Sequence, residues 1–207
     1  MPEKKPLQVV LASQSPRRLE LLRQIGIEPF VIPADIDESI LPGESAREYV
    51  MRMALEKALA SEAYQDAQTE ATDSRHGALI LGADTIVLIN DEVLGKPKDK
   101  SDFMRMMNLL SGTTHQVLTA VACLVEDHKQ TIVSTTEVTF CPLDAAVLDR
   151  YWNSGEPADK AGGYAIQGLA AVFIENISGS YSGVMGLPLF ETSALVSSAY
   201  ARVRDDH

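Results

Sequence analysis

Two adjacent arginines begin what the sequence predicts to be a short helix, and their placement there is unusual. An apolar run, residues 7–10, comes before Ser15 and Pro16, which are typical of a helix N-cap and a first helical position. Arg17 and Arg18 fall in the first turn, where the positive end of the helix dipole disfavours a cation by about 0.3–1 kcal/mol. Free backbone N–H groups and two guanidinium groups at one spot favour a bound anion, and phosphate is the obvious candidate. Two solvated surface arginines are the alternative that this segment leaves open.

Carboxylates occur at two places where a metal ion or a general base could act. Asp84 and Thr85 follow the apolar run 78–83, so we expect Asp84 at the end of a buried strand, where open α/β sheets bind ligands. Glu38 belongs to an acidic turn, residues 35–38. Together, Asp84 and Glu38 could hold Mg²⁺ beside phosphates, because this ion often takes only one or two protein carboxylates. A strand-end Asp that caps a turn and a solvated acidic turn are the structural alternatives.

Several further polar groups are candidates for binding or catalysis. Lys57, Lys96 and Lys160 are each compatible with a surface position or with a phosphate ligand. Gln167 interrupts a small, apolar stretch, and its amide could satisfy the backbone or read the edge of a base. His115 could be an acid or a base, although we favour a structural hydrogen bond. The sequence has neither the P-loop pattern nor the nucleophile-elbow pattern, which disfavours a P-loop NTPase and an α/β-hydrolase.

The elements that must position these groups alternate between helical and strand patterns. Helices are predicted over residues 15–25, 45–67, 99–110, 144–153 and 189–202. Strands are predicted over residues 7–12, 28–33, 78–83, 86–89, 92–94, 116–126, 130–141 and 171–177. Residues 68–77, 154–168 and 183–188 are predicted to be loops. This interleaving predicts an α/β fold, and two apparent hairpins predict a mixed rather than a parallel sheet.

Composition limits the function classes. The 207 residues are 45% hydrophobic, enough for a proper core without disulfides. The net charge of −11 argues against a general nucleic-acid-binding surface but allows a local basic cluster for one phosphorylated ligand. Cys123 and Cys141 lie in apolar runs and are interpreted as reduced core thiols. No apolar stretch is long enough to span a membrane and no signal peptide is evident, so we expect no membrane association and a cytoplasmic location.

An ordered set of fragments across nearly the whole chain resembles the Maf family of nucleoside triphosphate pyrophosphatases. The matching fragments are Leu11-Ala-Ser-Gln-Ser-Pro-Arg-Arg18, Glu20-Leu-Leu22, Glu56-Lys57, Gly82-Ala-Asp-Thr-Ile-Val87, Leu94-Gly-Lys-Pro97, Leu110-Ser-Gly-Thr-Thr-His-Gln-Val117, Asp159-Lys-Ala-Gly162, Ile166-Gln-Gly168 and Gly186-Leu-Pro188. The resemblance implies one α/β domain over residues 1–207, with a central mixed sheet flanked by helices. It also implies two lobes around a deep cleft, similar in shape to the inosine triphosphatases.

The resemblance further implies an activity. The family hydrolyses a nucleoside triphosphate to the monophosphate and pyrophosphate with Mg²⁺ or Mn²⁺, and the resemblance also implies a homodimer. Arg17, Thr85 and Gln167 match the branch that acts on dTTP and UTP. The alternatives are the branch that acts on 7-methyl-GTP, and a nucleotide-binding regulator of septum formation with weak catalysis.

The same resemblance assigns roles to site residues. Asp84 is implied to be the general base and, with Glu38, a metal ligand. The substrate phosphates are implied to bind Ser13, Arg17, Arg18, Lys57 and Lys96. Substrate specificity is implied to depend on Arg17, Thr85 and Gln167.

Overall fold

A computed structural model describes residues 7–68 and 78–205. Apart from residue 68, which ends a helix, the predicted loop over residues 68–77 lies outside the described residues. The strands within the described ranges are β1 (Gln8–Leu11), β2 (Phe30–Val31), β3 (Ala78–Ile89), β4 (Glu92–Leu94), β5 (Thr114–Val125), β6 (His128–Phe140) and β7 (Ile174–Ser178). The α-helices are α1 (Pro16–Gln24), α2 (Ala46–Gln68), α3 (Lys100–Leu110), α4 (Ala145–Asn153), α5 (Tyr181–Met185) and α6 (Leu189–Asp205). Three 3₁₀ segments cover Glu156–Asp159, Ala161–Gly163 and Leu169–Phe173.

The strands form a mixed sheet, as predicted. Its order is β2-β1-β3-β5-β6-β7, and β4 pairs with β3 beyond the end of β1. β1 is parallel to both β2 and β3, whereas all other described pairs are antiparallel. The predicted α/β class with a mixed central sheet and flanking helices is therefore confirmed.

The strand that carries Asp84 differs from the prediction. The two apolar runs on either side of Asp84 form one continuous strand, β3, in which Asp84 pairs with Ala120 of β5. Asp84 therefore lies inside a strand, and the predicted strand end at this residue is wrong. However, β1 ends at Leu11, opposite Leu81, so Asp84 lies just past the carboxyl end of the parallel part of the sheet. The rule for ligand sites at that edge therefore still applies.

Two C-terminal predictions also need correction. The strand predicted over 171–177 begins only at Ile174, because Leu169–Phe173 forms a 3₁₀ turn. The loop predicted over 183–188 begins inside α5, whose N-cap is Ser180, with its Oγ accepting the Gly183 N–H at 3.0 Å. In both places short helical turns lack the length for a periodic apolar pattern, so the sequence shows no helix there.

The buried residues in the described part of the chain form three apolar clusters. On β1, Val10 faces the cluster under α2, whereas Val9 and Leu11 face the cluster under α1 and α6, so both faces of this sheet half are covered. The third cluster packs α3, α4 and the 3₁₀ segments against the other ends of β3, β5 and β6, forming a second lobe. Within the described ranges, no helix combines the length and the apolar character needed to cross a bilayer.

α2 lies unusually close to β3. A Cβ on Gly82 would be 2.1 Å from the Ala54 carbonyl oxygen and 2.9 Å from the Ala58 Cβ. Only glycine allows this approach, and the same helical turn, which contains Lys57 between Ala54 and Ala58, thereby reaches Asp84.

Candidate active site

A cleft of about 950 Å³ lies between the two lobes, and every predicted site residue lines it. These residues are Ser13, Arg17, Arg18, Glu38, Lys57, Asp84, Thr85, Lys96 and Gln167. They come from α1 and the segment before it, α2, β3, and the loops after β2, β4 and α4. The fold thus brings together residues from the beginning, middle and end of the chain. Their individual roles stay predictions at this point.

Arg18 fastens three segments of the cleft wall. Its Nε donates to the Gly186 carbonyl at 2.8 Å, its Nη1 to Ser13 Oγ at 3.0 Å and its Nη2 to Thr85 Oγ1 at 3.2 Å. Burial lowers the pKa of Arg18, and the negative charge of Asp84 partly offsets this effect. A guanidinium carries five N–H groups, so Arg18 keeps two for an anion after making these bonds. Arg18 is therefore a structural clamp as well as a candidate phosphate ligand.

The N-terminus of α1 differs from the prediction in its side-chain hydrogen bonds. Ser15 occupies the N-cap position and Pro16 opens the helix, but the Ser15 side chain makes no capping bond. Instead, Ser13 Oγ accepts the Ser15 N–H at 3.2 Å and also receives Arg18. Ser13 therefore ties the segment before α1 to the backbone of Ser15 and to the side chain of Arg18.

Arg17 is much less constrained than Arg18. Its Nη1 lies 3.7 Å from Asp159 Oδ2, an ion pair across the cleft from α1 to the second lobe. Asp159 also pairs with Lys160. Desolvation raises the pKa of Asp159, but Lys160 and Arg17 outweigh this effect and the net pKa is below its usual value. Because the Arg17–Asp159 pair is long and Asp159 is 66% exposed, it holds Arg17 only weakly, and the guanidinium remains available to an anion.

Lys57 joins the two carboxylates that were predicted to act together. Its Nζ lies 2.7 Å from Asp84 Oδ1 and 2.7 Å from Glu38 Oε1. Lys57 and Asp84 are only 12% and 13% exposed, whereas Glu38 is 53% exposed. Desolvation raises the pKa of Glu38, but the hydrogen bond from Lys57 and the charges of Lys57, Lys96 and Arg18 outweigh it and lower the net pKa. The acidic turn and β3 therefore meet at one point.

This carboxylate pair fits a hard divalent cation. Glu38 Oε1 and Asp84 Oδ1 both contact the Lys57 ammonium group, so the two carboxylates lie close enough together to share a cation. Within residues 7–68 and 78–205, no group of three or more metal-ligating His, Cys, Asp or Glu side chains occurs. An ion held by Glu38 and Asp84 would take its other ligands from water and phosphate oxygens, as Mg²⁺ commonly does. Asp37 lies apart, with its carboxylate accepting from the Ser39 N–H and hydroxyl at 2.9 and 2.6 Å.

Lys96 is the most exposed of the basic residues predicted at the site. It follows β4, lines the cleft and is close enough to Glu38 to help lower the pKa of that carboxyl. The preceding residue, Gly95, accepts the Gly162 N–H through its carbonyl at 2.9 Å. The loop that carries Lys96 is thereby tied to the second lobe.

Gln167 is exposed in the cleft, so packing does not occupy its amide. Its loop is held by Glu156, whose carboxylate accepts the Leu169 N–H at 3.0 Å and the Tyr151 hydroxyl at 2.8 Å. A Cβ on Gly168 would be 2.2 Å from the Glu156 carboxylate. The glycine after Gln167 therefore lets Glu156 support the loop from behind, and the amide stays free for a ligand.

His115 lies behind the cleft wall. It is buried, its Nε2 is 2.8 Å from the Tyr164 hydroxyl, and burial lowers its pKa to about 4. Tyr164 lines the cleft, whereas His115 does not. This geometry agrees with the structural role that we favoured for His115.

Sequence reasoning missed Thr119 and Glu156. Thr119 is fully buried on β5, and its Oγ1 lies 2.7 Å from the Gly183 carbonyl oxygen and 3.0 Å from Thr85 Oγ1. The signal that could have found it is a single hydroxyl inside the apolar run 116–126. Glu156 had no such signal, because an acidic residue in a predicted loop is ordinary.

Comparison with known proteins shows sequence similarity over most of the chain. The sequence profile described as "Maf-like protein" matches residues 8–199. A protein of Pseudoalteromonas atlantica named "dTTP/UTP pyrophosphatase" is 50% identical over 189 residues, which is 91% of this chain and 95% of the relative. Proteins with the same name from Alkalilimnicola ehrlichii and Vibrio parahaemolyticus are 50% and 46% identical, covering 94% and 93% of this chain and 94% and 97% of their own.

Among solved structures, the Staphylococcus aureus Ham1 protein matches with a TM-score of 0.41 and 15% identity, over 64% of this chain and 71% of that chain. The profile match and the curated relatives cover nearly the whole sequence. The chain belongs to the family of Maf-like proteins.

Proposed function

We propose that this chain hydrolyses dTTP and UTP to the nucleoside monophosphate and pyrophosphate. The observation that carries the proposal is one cleft in which basic side chains from three other parts of the chain share the lining with the Lys57–Asp84–Glu38 cluster. The relatives named as dTTP/UTP pyrophosphatases, about half identical over the full length, support the choice of substrate.

The reaction breaks the bond between the α-phosphorus and the oxygen that bridges to the β-phosphate. A water molecule attacks the α-phosphorus, Asp84 accepts one of its protons, and pyrophosphate leaves with the bridging oxygen. Lys57 binds Asp84 through Oδ1, so Oδ2 is the atom that would take the proton. A positioned base of this kind contributes roughly 10²–10⁴-fold to the rate.

The basic residues stabilise the charge of the phosphates. Arg17, Arg18 and Lys96 line the cleft and are the donors available to the phosphates. Such donors act strongly because the folded chain holds them in place before the reaction begins.

Glu38 and Asp84 would hold Mg²⁺ or Mn²⁺. When bound, the ion would supply positive charge against the phosphate oxygens. We also propose that the protein forms a homodimer and is located in the cytoplasm, as expected from the sequence.

Gln167 has the groups to read a pyrimidine. Its amide offers one donor and one acceptor, which match the O4 and N3–H of uracil or thymine. A rotated amide would match cytosine equally well, so a second group must contribute to the choice. Gln167→Ala should lower kcat/KM for dTTP and UTP more than for other triphosphates, and equal losses on all substrates would contradict a base-reading role.

Pyrophosphate release with dTTP, UTP, CTP, GTP and 7-methyl-GTP, each with Mg²⁺ and with Mn²⁺, tests the proposal. We expect the highest kcat/KM for dTTP and UTP. A preference for 7-methyl-GTP would move the chain to the other branch. Tight binding of dTTP without turnover would instead favour a nucleotide-binding regulator.

Asp84→Asn tests the catalytic assignment. It preserves the shape of the side chain and should leave less than a few per cent of the activity, because an amide cannot accept the proton. Asp37→Asn, a matched control in the acidic turn whose carboxylate bonds only to Ser39 in the described structure, should be fully active. Substantial activity in a folded Asp84→Asn protein would refute Asp84 as the base.

A further inference from the structure

The segment that carries Glu38 contains neither a helix nor a strand. It runs from the end of β2 at Val31 to the start of α2 at Ala46, and Glu38 itself is exposed. An exposed irregular segment lacks the ladder of backbone hydrogen bonds that holds a helix or a strand. The position of the Glu38 carboxylate in the cleft therefore depends on contacts with neighbouring elements.

Two side chains of α2 bind the backbone of this segment at Glu38 and at the next residue. The Tyr49 hydroxyl donates to the Glu38 carbonyl at 2.9 Å, and Arg52 Nη2 donates to the Ser39 carbonyl at 2.9 Å. Tyr49 and Arg52 are three residues apart on the helix and therefore lie side by side. The central guanidinium carbon of Arg52 is 5.5 Å from the centre of the Tyr49 ring. Two successive carbonyls are thus held against one face of α2.

Glu38 is held by α2 through both its backbone and its side chain. Tyr49 binds its carbonyl, and Lys57 contacts its carboxylate at 2.7 Å. The Tyr49 ring is only 9% exposed, so packing fixes where its hydroxyl lies. Asp84, the other carboxylate of the pair, needs no comparable support because it lies inside β3. Tyr49 therefore holds the member of the pair that no strand or helix holds.

We propose that Tyr49 is a positioning residue that sets the affinity of the Glu38–Asp84 pair for a divalent cation. The Glu38 carboxylate stays beside Asp84 only while the main chain at Glu38 stays against α2. Tyr49 acts through the Glu38 carbonyl and needs no contact with the ion. Removing a group that orients a metal ligand typically lowers metal affinity by about 10–100-fold. This inference rests on the metal site of the proposed function and adds the residue that holds one of its two ligands.

Four variants separate positioning of Glu38 from simple support of the fold. Tyr49→Phe removes the hydroxyl and keeps the ring, and the Glu38 carbonyl can then bond to water because Glu38 is exposed. Tyr200→Phe is the matched control, because the Tyr200 hydroxyl also donates to a backbone carbonyl, that of Leu7 at 3.1 Å, and Tyr200 does not line the cleft. Glu38→Ala removes the ligand itself and is made alone and together with Tyr49→Phe.

The measurement is the Kd of Mn²⁺ for the chain without nucleotide, obtained from the electron paramagnetic resonance signal of free Mn²⁺. We expect the Kd to rise about tenfold in Tyr49→Phe and to stay within about twofold of the unsubstituted chain in Tyr200→Phe. Adding Tyr49→Phe to Glu38→Ala should change the Kd by less than about twofold, because a residue that acts only through Glu38 then has no carboxylate to position.

Three results would overturn the inference. The first is an unchanged Kd in folded Tyr49→Phe, and the second is an equal rise in Tyr200→Phe. The third is an effect of Tyr49→Phe that persists in the Glu38→Ala background, because it would mean that the tyrosine hydroxyl acts on the ion independently of Glu38.

A second variant covers the case in which circular dichroism shows that Tyr49→Phe does not fold. Arg52→Lys keeps a positive charge beside Glu44 but should release the Ser39 carbonyl, since one ammonium group does not replace a guanidinium that binds both. Arg52 does not line the cleft, so a rise in the Kd would act through the segment, and an unchanged Kd would overturn the inference.

The unsubstituted chain separates failure of this inference from failure of the proposed function. A chain that binds no Mn²⁺, or whose Kd is unchanged in Glu38→Ala, has no cation site at this pair, and the inference is wrong. Mn²⁺ binding that depends on Glu38, without pyrophosphate release from dTTP or UTP, would contradict the proposed function alone. Pyrophosphate release together with an unchanged Kd in folded Tyr49→Phe would refute only the role of Tyr49.

Discussion

Substituting lysine for each of the two adjacent arginines should separate a structural clamp from a ligand-binding group. The guanidinium of Arg18 bonds to acceptors on three segments, and a lysine ammonium on a single stem does not reach all three. We expect Arg18→Lys to lose about two charge-assisted bonds, which at the low end of 1.5–3 kcal/mol each is about 3 kcal/mol of unfolding free energy. For a chain of this size, this corresponds to a Tm lower by about 6–12 °C.

Arg17→Lys should give the opposite combination. The 3.7 Å pair of Arg17 with the exposed Asp159 is worth about 0–1 kcal/mol, and lysine keeps the charge, so the Tm should change by less than about 2 °C. Pyrophosphate release should nevertheless fall on the order of ten- to a hundredfold, because a bidentate donor is replaced by a point charge.

Thermal denaturation followed by circular dichroism, together with the pyrophosphate assay, tests both predictions. Arg105→Lys is the control, since Arg105 pairs only with exposed or partly exposed carboxylates on the surface of the second lobe in the described structure, and it should change neither quantity. An Arg17→Lys protein that melts as early as Arg18→Lys, or an Arg18→Lys protein with the original Tm, would show that this division of roles is wrong.

Three further substitutions have defined outcomes. Glu38→Gln should raise the Mg²⁺ concentration for half-maximal activity at least about tenfold, whereas Asp37→Asn should not, and a metal titration of each checks this. Burial lowers the pKa of His115 to about 4. Between about pH 6.5 and pH 4 the imidazole is therefore protonated in the unfolded chain but neutral in the folded chain, so the folded state should lose stability as the pH falls. His115→Phe should remove up to about 3 kcal/mol of that pH dependence, measured by urea denaturation at pH 7 and pH 4.5, and an unchanged slope would contradict the buried neutral imidazole. Gly82→Ala should destabilise the fold by about 1–3 kcal/mol or more, because the new methyl group would meet the Ala54 carbonyl, and an unchanged denaturation midpoint would show that α2 moves freely.

The long elements could be predicted from the sequence because their signals are local, and the candidate site residues taken from the ordered set of fragments all line one cleft. α3 carries apolar residues at helical spacing and an Asp99 N-cap, and the observed helix follows them. The strand end predicted at Asp84 is wrong because the pairing that decides the structure there involves residues far away in the sequence. A polar pair in an apolar run suggests a break, but β5 continues to pair with β3 across it and keeps the backbone extended.

The sequence also could not show how firmly each predicted site residue is held by its neighbours. Arg17 and Arg18 are identical neighbours in the chain, yet one is tied to three acceptors and the other is held by one long ion pair. The difference depends on where Gly186 and Asp159 approach α1, which are contacts between residues far apart in the sequence. Motif matching identifies such residues as a set, whereas only the fold distinguishes their roles.

The charges that line the cleft explain why a metal ion belongs in the proposal. Among the residues that the structure describes, five cations and four carboxylates line it, so the basic cluster is nearly balanced by the protein itself. These residues are Arg17, Arg18, Lys57, Lys96, Lys160, Asp35, Glu38, Asp84 and Asp159. A triphosphate tail carries several negative charges, and a cleft with so small a positive excess would repel part of that charge at Glu38 and Asp84. A divalent cation at this carboxylate pair would turn the repulsion into attraction, which gives the second carboxylate a physical role that a general base alone does not require.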